Sequence, residues 1–94
     1  MGLAIEEAAM LRIEEQLSED GLLRLEGRIV GPWTDEVRAA CERARAGHAS
    51  VTLDLARVDF IDRPAAALLR ELRRRGARLV NASPFLTELL RHDA

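Results

Sequence analysis

The chain has 94 residues and a formal net charge of -2, with 48% hydrophobic and 32% charged residues of mixed sign. That is enough apolar material for one small domain, and it fits neither a disordered chain nor a strong binder of polyanions. All 14 basic residues are arginine, which excludes the phosphate loop ending in Gly-Lys-Ser/Thr and Schiff-base lysine chemistry.

Residues 1–9 mix Ala and Glu without a clear period and read as a leader of uncertain order. Glu6 and Glu7 stand where a signal peptide carries basic residues, and no apolar run approaches the roughly 18 residues of a membrane span. The expectation is a cytoplasmic chain with no membrane insertion. The single Cys41 closes no intrachain bridge and forms no metal-ligand pair, which fits a reducing compartment and a protein without metal or cofactor.

From Met10 the pattern alternates, with Leu11, Ile13 and Leu17 against Arg12, Glu14 and Gln16, the signature of a half-buried strand. Ser18-Glu19-Asp20-Gly21 turns the chain into a second strand, with Leu23, Leu25 and Ile29 facing one way and Arg24, Glu26 and Arg28 the other. Gly27 breaks the apolar parity and marks a bulge or a close approach. Gly31-Pro32 ends that strand, and from Trp33 the residues Val37, Ala40, Cys41 and Ala44 recur on one helical face until Gly47.

Val51, Leu53 and Leu55 form a third strand, and Ala56 to Asp62 reads as a loop. Asp62 is a good N-cap for a helix whose buried stripe is Ala65, Leu68, Leu69 and Leu72, with Pro64 in its first turn and Gly76 at its end. A short fourth strand, Ala77 to Asn81, leads through Ser83-Pro84 into a last helix with Phe85, Leu86, Leu89 and Leu90 as its stripe. The order β-β-α-β-α-β-α predicts an α/β domain: a four-stranded, mostly parallel sheet with an N-terminal antiparallel strand and helices mainly on one face. Arg24, Glu26, Arg28, Thr52, Asp54 and Arg78 share the parity opposite the apolar residues, so the other face is wet or meets a partner.

Asp54, Asp59 and Asp62 lie close together at the end of a predicted parallel strand, where α/β proteins often place chemistry. An N-cap role accounts for Asp62, and no His, Cys or Gly-rich cradle joins the cluster, so the structural reading prevails and no catalytic or metal site is expected. The run Arg70, Arg73, Arg74 and Arg75, with Arg78 beyond it, is explained by the macrodipole of a helix C-terminus and by a Glu71–Arg75 pair at i, i+4. With 3% aromatic residues and no Tyr the chain lacks a stacking platform for single strands, and no nucleic-acid partner is expected. Cys41 belongs to a buried stripe, His48 and His92 face solvent, and Trp33 is a core or lid residue.

Leu25-x-Gly27, Asp54-Leu55, Phe60-Ile61-Asp62, Leu68-Leu69, Arg75-Gly76 and Asn81-x-Ser83-Pro84 occur in an order and spacing that resembles the STAS family. These are the small domains of anti-sigma-factor antagonists and of sulfate-transporter tails. The resemblance covers most of the chain and implies that residues 10–94 form one STAS-like domain. It also implies a bacterial regulator of transcription without catalytic activity, which docks on a partner protein, often a serine kinase that also serves as an anti-sigma factor. In that family the residue after the loop aspartate is usually a serine or threonine, which the partner phosphorylates; here it is Arg63, followed by Pro64 and Ala65. No Ser or Thr occurs between Thr52 and Ser83.

The expected partner-binding residues are therefore Val58, Asp59, Phe60, Ile61, Asp62, Arg63 and Pro64. Phe60, Ile61 and Pro64 would supply apolar contact, and Asp59, Asp62 and Arg63 charge complementarity. Phe60 and Ile61 suit a core position equally well. The functional expectation is a non-catalytic interaction module that docks on a partner kinase or anti-sigma factor without a serine phospho-switch. The alternative is a non-switching subunit or sensor module of a transporter or signalling assembly. A homo-oligomer is compatible with either.

Overall fold

The computed structural model describes residues 2–7, 11–17, 21–47 and 50–91. The expected turn at Ser18 to Asp20, as well as His48 and His92, lies outside the described residues. The elements are β1 (Gly2–Glu7), β2 (Leu11–Leu17), β3 (Leu22–Ile29), α1 (Trp33–Gly47), β4 (Thr52–Ile61), α2 (Arg63–Arg74), β5 (Arg78–Val80) and α3 (Pro84–Arg91). They form one sheet in the order β1-β2-β3-β4-β5, antiparallel from β1 to β3 and parallel from β3 to β5. The α/β class and the order of elements from β2 onward are those expected from the alternation.

Two features differ from that expectation. The sheet has a fifth strand, because Gly2–Glu7, read as a leader, pairs antiparallel with β2 from Gly2↔Leu17 to Glu7↔Arg12. An edge strand is bonded on one side only, and its short mixed Ala/Glu sequence carries little periodic signal. The second difference is that β4 does not stop at Leu55; the segment read as a loop continues the strand to Ile61.

The register shows why the alternation is lost there. Arg24 pairs with Asp54 but Glu26 with Arg57, and Gly27 pairs with Val58 but Arg28 with Phe60, so β4 carries an extra residue in each interval. Each bulge reverses the side-chain parity of the residues beyond it. The first turns Val58 into the core, and the second, at Asp59, turns Phe60 out and Ile61 in. Gly27 sits at the second irregularity with φ 107, a value that a side chain would strain.

The inward parity of β2, β3 and β4 joins Val37, Ala40, Cys41 and Ala44 of α1, Ala65, Leu68, Leu69 and Leu72 of α2, and Leu86 and Leu90 of α3 in one apolar cluster. Glu15 also lies on this inward side, with a side chain only 9% exposed, and its Oε2 accepts from Arg43 Nη2 of α1 at 2.6 Å. A carboxylate placed there needs such a partner, since an unpaired one would cost several kcal/mol. Arg70 Nη1 donates to the Leu89 carbonyl at 3.2 Å, tying α2 to α3. The anticipated Glu71–Arg75 pair is present at 3.9 Å, and Glu71 also meets Arg38 of α1 at 3.7 Å.

Asp62 joins the elements at the C-terminal end of the parallel strands. Its Oδ1 accepts from Ala65 N at 3.0 Å, which caps α2, while its Oδ2 accepts from Gly31 N at 2.8 Å in the turn between β3 and α1. Its own N–H donates to the Ile29 carbonyl at 3.2 Å. Ser83 performs the same capping duty for α3, its Oγ accepting from Leu86 N at 3.1 Å.

Replacing Asp62 by Ala removes a cap, worth about 0.5–2 kcal/mol, and a second acceptor worth about 1 kcal/mol. Urea unfolding is expected to show a loss of about 1.5–3 kcal/mol for Asp62→Ala. Asp62→Asn should lose roughly half as much, because one oxygen is kept while an amide meets the Gly31 N–H.

Burial pushes the Cys41 thiol up from its ordinary 9.0 to about 11, against a smaller lowering by Arg45. The native state thus holds the proton more tightly than the unfolded chain. Stability should be fully present below about pH 9 and fall, by on the order of 2 kcal/mol, as pH rises toward 11. The chain has no Lys and no Tyr, so no other side chain has an ordinary pKa in that window. Cys41→Ala should therefore flatten the dependence in denaturation measured between these pH values.

Candidate functional site

The uncovered face of the sheet is built from the outward parity of the strands. Across β2, β3 and β4, Arg12, Glu26 and Arg57 form one row, and Glu14, Arg24 and Asp54 the next. Signs alternate along and between the rows. The pairs are Arg12–Glu26 at 3.7 Å, Arg57–Glu26 at 3.9 Å, Arg24–Glu14 at 3.7 Å and Arg24–Asp54 at 3.8 Å. They border a shallow cleft of about 490 Å³. Pairs this exposed each contribute about 0–1 kcal/mol at most; together they make the middle of the face polar and neutral.

Asp54 is held further by the chain itself. Its Oδ1 accepts from Ala56 N at 3.0 Å inside the first bulge and from Asn81 Nδ2 at 3.1 Å. Asn81 has φ 62, a left-handed conformation that asparagine tolerates better than most residues, and its amide anchors the exit of β5 to β4. Asp54 thus stabilises the bulge, Asp62 caps α2, and Asp59 is the exposed extra residue of the second bulge. Among the described residues, no three His, Cys, Asp or Glu side chains converge in a way that could hold a metal ion.

The surface at the C-terminal end of the parallel strands has a different character. Among the described residues β5 pairs only with Thr52, Leu53 and Asp54, no strand lies beside the later part of β4 on that side, and Phe85 of α3 reaches Phe60 there. Phe60, turned outward by the second bulge, stacks on Phe85 with ring centroids 6.3 Å apart and planes 27° apart. On the β3 side the Arg28 guanidinium lies 5.5 Å from the Phe60 ring centroid. Phe85 is 52% exposed and is the exposed large hydrophobic residue of the described chain. Arg63 and Pro64, both exposed, begin α2 just beyond Phe60.

The seven residues expected to bind a partner therefore divide. Val58 and Ile61 are only 4% and 2% exposed and belong to the core; two bulges, invisible to a strict period of two, turn them inward. Their expected role in partner contact is corrected on that ground. Asp59, Arg63 and Pro64 are exposed, Phe60 and Asp62 half-buried, and Asp62 is occupied by two backbone donors.

Sequence reasoning misses Phe85 and Arg28. Phe85 falls in the apolar stripe of the last helix by spacing, although the stripe that packs is Leu86 and Leu90. Its position two residues after the N-cap Ser83 is the available signal, because a first-turn residue can point back along the chain rather than into the core. Of the arginine run, Arg70 and Arg75 have the partners described, while Arg73, Arg74 and Arg78 are exposed near the opposite end of α2.

No helix among the described residues is long and apolar enough to cross a membrane. No family model and no curated protein matches the sequence. Among solved structures, the chain is similar to the anti-sigma factor antagonist SpoIIAA in its unphosphorylated form, with 20% sequence identity and a TM-score of 0.58, over 94% of this chain and 76% of that one. At this identity the likeness speaks for the fold alone: the chain has the STAS-like α/β fold that this solved structure also has.

Proposed function

We propose that the chain is a non-catalytic, cytoplasmic interaction module that docks on a serine kinase or anti-sigma factor, and that this docking is independent of serine phosphorylation. The observation that carries this reading is Arg63. It is the first residue of α2, directly after the Asp62 cap, exposed, and without a carboxylate partner among the described residues. A cation there opposes the helix macrodipole by about 0.3–1 kcal/mol, and the Asp62 cap carboxylate beside it offsets part of that cost. An exposed cation that has no carboxylate partner among the described residues is well suited to meeting a partner.

The position is the one that carries the phosphorylated hydroxyl in the family the sequence resembles. A phosphoserine would bring about -1.5 to -2 units of charge, whereas arginine holds a permanent positive one. The partner then presents a carboxylate to position 63, since a guanidinium buried without one would be costly. The same permanent charge also suits a subunit that stays bound in a transporter or signalling assembly, and reversibility of the complex separates the two readings.

The experiment is titration of candidate serine kinases and anti-sigma factors from the same organism with the wild-type chain and two variants. Arg63→Glu is expected to lose on the order of 1–3 kcal/mol of affinity with an unchanged circular dichroism spectrum. Arg63→Ser should lose less and become a substrate if the partner keeps kinase activity. Replacing Arg73 and Arg74 by Gln should leave binding nearly intact. Equal affinities of wild type, Arg63→Glu and Arg63→Ser would place the interface elsewhere.

A further inference from the structure

The second bulge of β4 exposes an aromatic side chain at a point where the rest of the sheet face is occupied by paired charges. A bulge is a local departure from regular pairing that re-aims a side chain, and here the side chain it turns outward is Phe60. The ring is contacted on the β3 side by Arg28 and on the α3 side by Phe85, so three residues from three elements form a continuous row. Phe85 leaves about half of its surface in water.

The charges around the row describe what would cover it. Arg12, Arg24 and Arg57 on the same face all have carboxylate partners, but Arg28 has none among the described residues. A guanidinium positioned over a ring keeps its edge donors free for a carboxylate. Arg63, exposed at the start of α2 three residues after Phe60, is a further cation without a carboxylate partner among the described residues. Asp59, exposed and one residue from Phe60, opposes an occupant that is acidic throughout.

From this geometry we infer that the Arg28–Phe60–Phe85 row determines which partner the chain accepts, and that it takes a protein segment carrying one carboxylate beside a large apolar side chain. The apolar group covers Phe85 and the edge of Phe60, and the carboxylate bonds to the Arg28 guanidinium. The inference rests on the reading of the chain as a docking module and adds to it the chemistry of the segment bound.

The test is selection of random dodecapeptides displayed on phage against the full-length chain, followed by affinity measurement with the enriched peptides made synthetically. Enriched sequences should share an Asp or Glu within four residues of Leu, Ile, Met, Phe or Trp. Phe85→Ala and Arg28→Gln should each weaken binding at least tenfold, with folding checked by circular dichroism, while Arg73→Gln should not. Enrichment of basic or uncharged sequences, unchanged affinity in Phe85→Ala, no enrichment, or an oligothymidylate bound more tightly than any peptide would each overturn the inference. If Arg63→Glu weakens kinase binding while Phe85→Ala affects neither kinase nor peptide, the docking reading stands and this inference fails. If peptides bind through the row but no kinase or anti-sigma factor does, the reverse holds.

Discussion

The central strand β4 has to keep Leu53, Leu55, Val58 and Ile61 against the helical layer, and much of the functional surface results from how it does so. A strand of period two cannot place all four on one side. Two extra residues solve the problem, one in each interval where the register with β3 shifts. The first bulge is braced by the Asp54 carboxylate, which accepts from Ala56 N and from Asn81. The second leaves Asp59 outside the pairing and delivers Phe60 to the open face. Packing in the interior thereby fixes what the exterior presents.

Electrostatics divides that exterior into two regions. In the middle of the sheet, three arginines and three carboxylates neutralise one another in alternating rows, with separations of 3.7 to 3.9 Å. Such a face gives little reason for another chain to bind, because association would remove already paired charges from water. At the C-terminal end of the parallel strands, two apolar rings meet the Arg28 guanidinium, which has no carboxylate partner among the described residues, and there desolvation would be offset by new contacts. The use of arginine alone among the basic residues suits both regions, since the guanidinium stays charged, stacks on rings and bonds in a fixed planar fork.

Neighbouring residues at the start of α2 have separate duties. Asp62 belongs to the fold: both its carboxylate oxygens accept backbone N–H groups, and the turn after β3 and the first turn of α2 are held together through it. Arg63 has no carboxylate partner among the described residues and works against the helix dipole. The cap can therefore be kept unchanged while the residue after it varies without loss of the scaffold.

Most of the architecture was legible because local patterns and global packing agree. Alternation in β2 and β3, the helical stripes of α1 and α2, and the caps Asp62 and Ser83 each depend on residues close together in the chain. Gly27 likewise marked its irregularity, since φ 107 calls for glycine in any context. Short-range physics acts before tertiary contacts exist and leaves a periodic trace. The strand β1 left almost no trace, because its pairing depends on the partner edge that β2 supplies. Glu15 lay in the apolar parity of β2, and only the approach of Arg43 from α1 makes that position tenable. Above all, the sequence VDFID does not say which of its residues face inward. That depends on the register between β3 and β4 and on how far β5 extends, both set by packing across the sheet. The sequence alone thus determined the class of fold, the order of its main elements and the arginine that follows the Asp62 cap; only the tertiary structure decided that Val58 and Ile61 are core and that Arg28, Phe60 and Phe85 meet at the surface, because side-chain direction after a bulge is a property of the sheet and not of the strand.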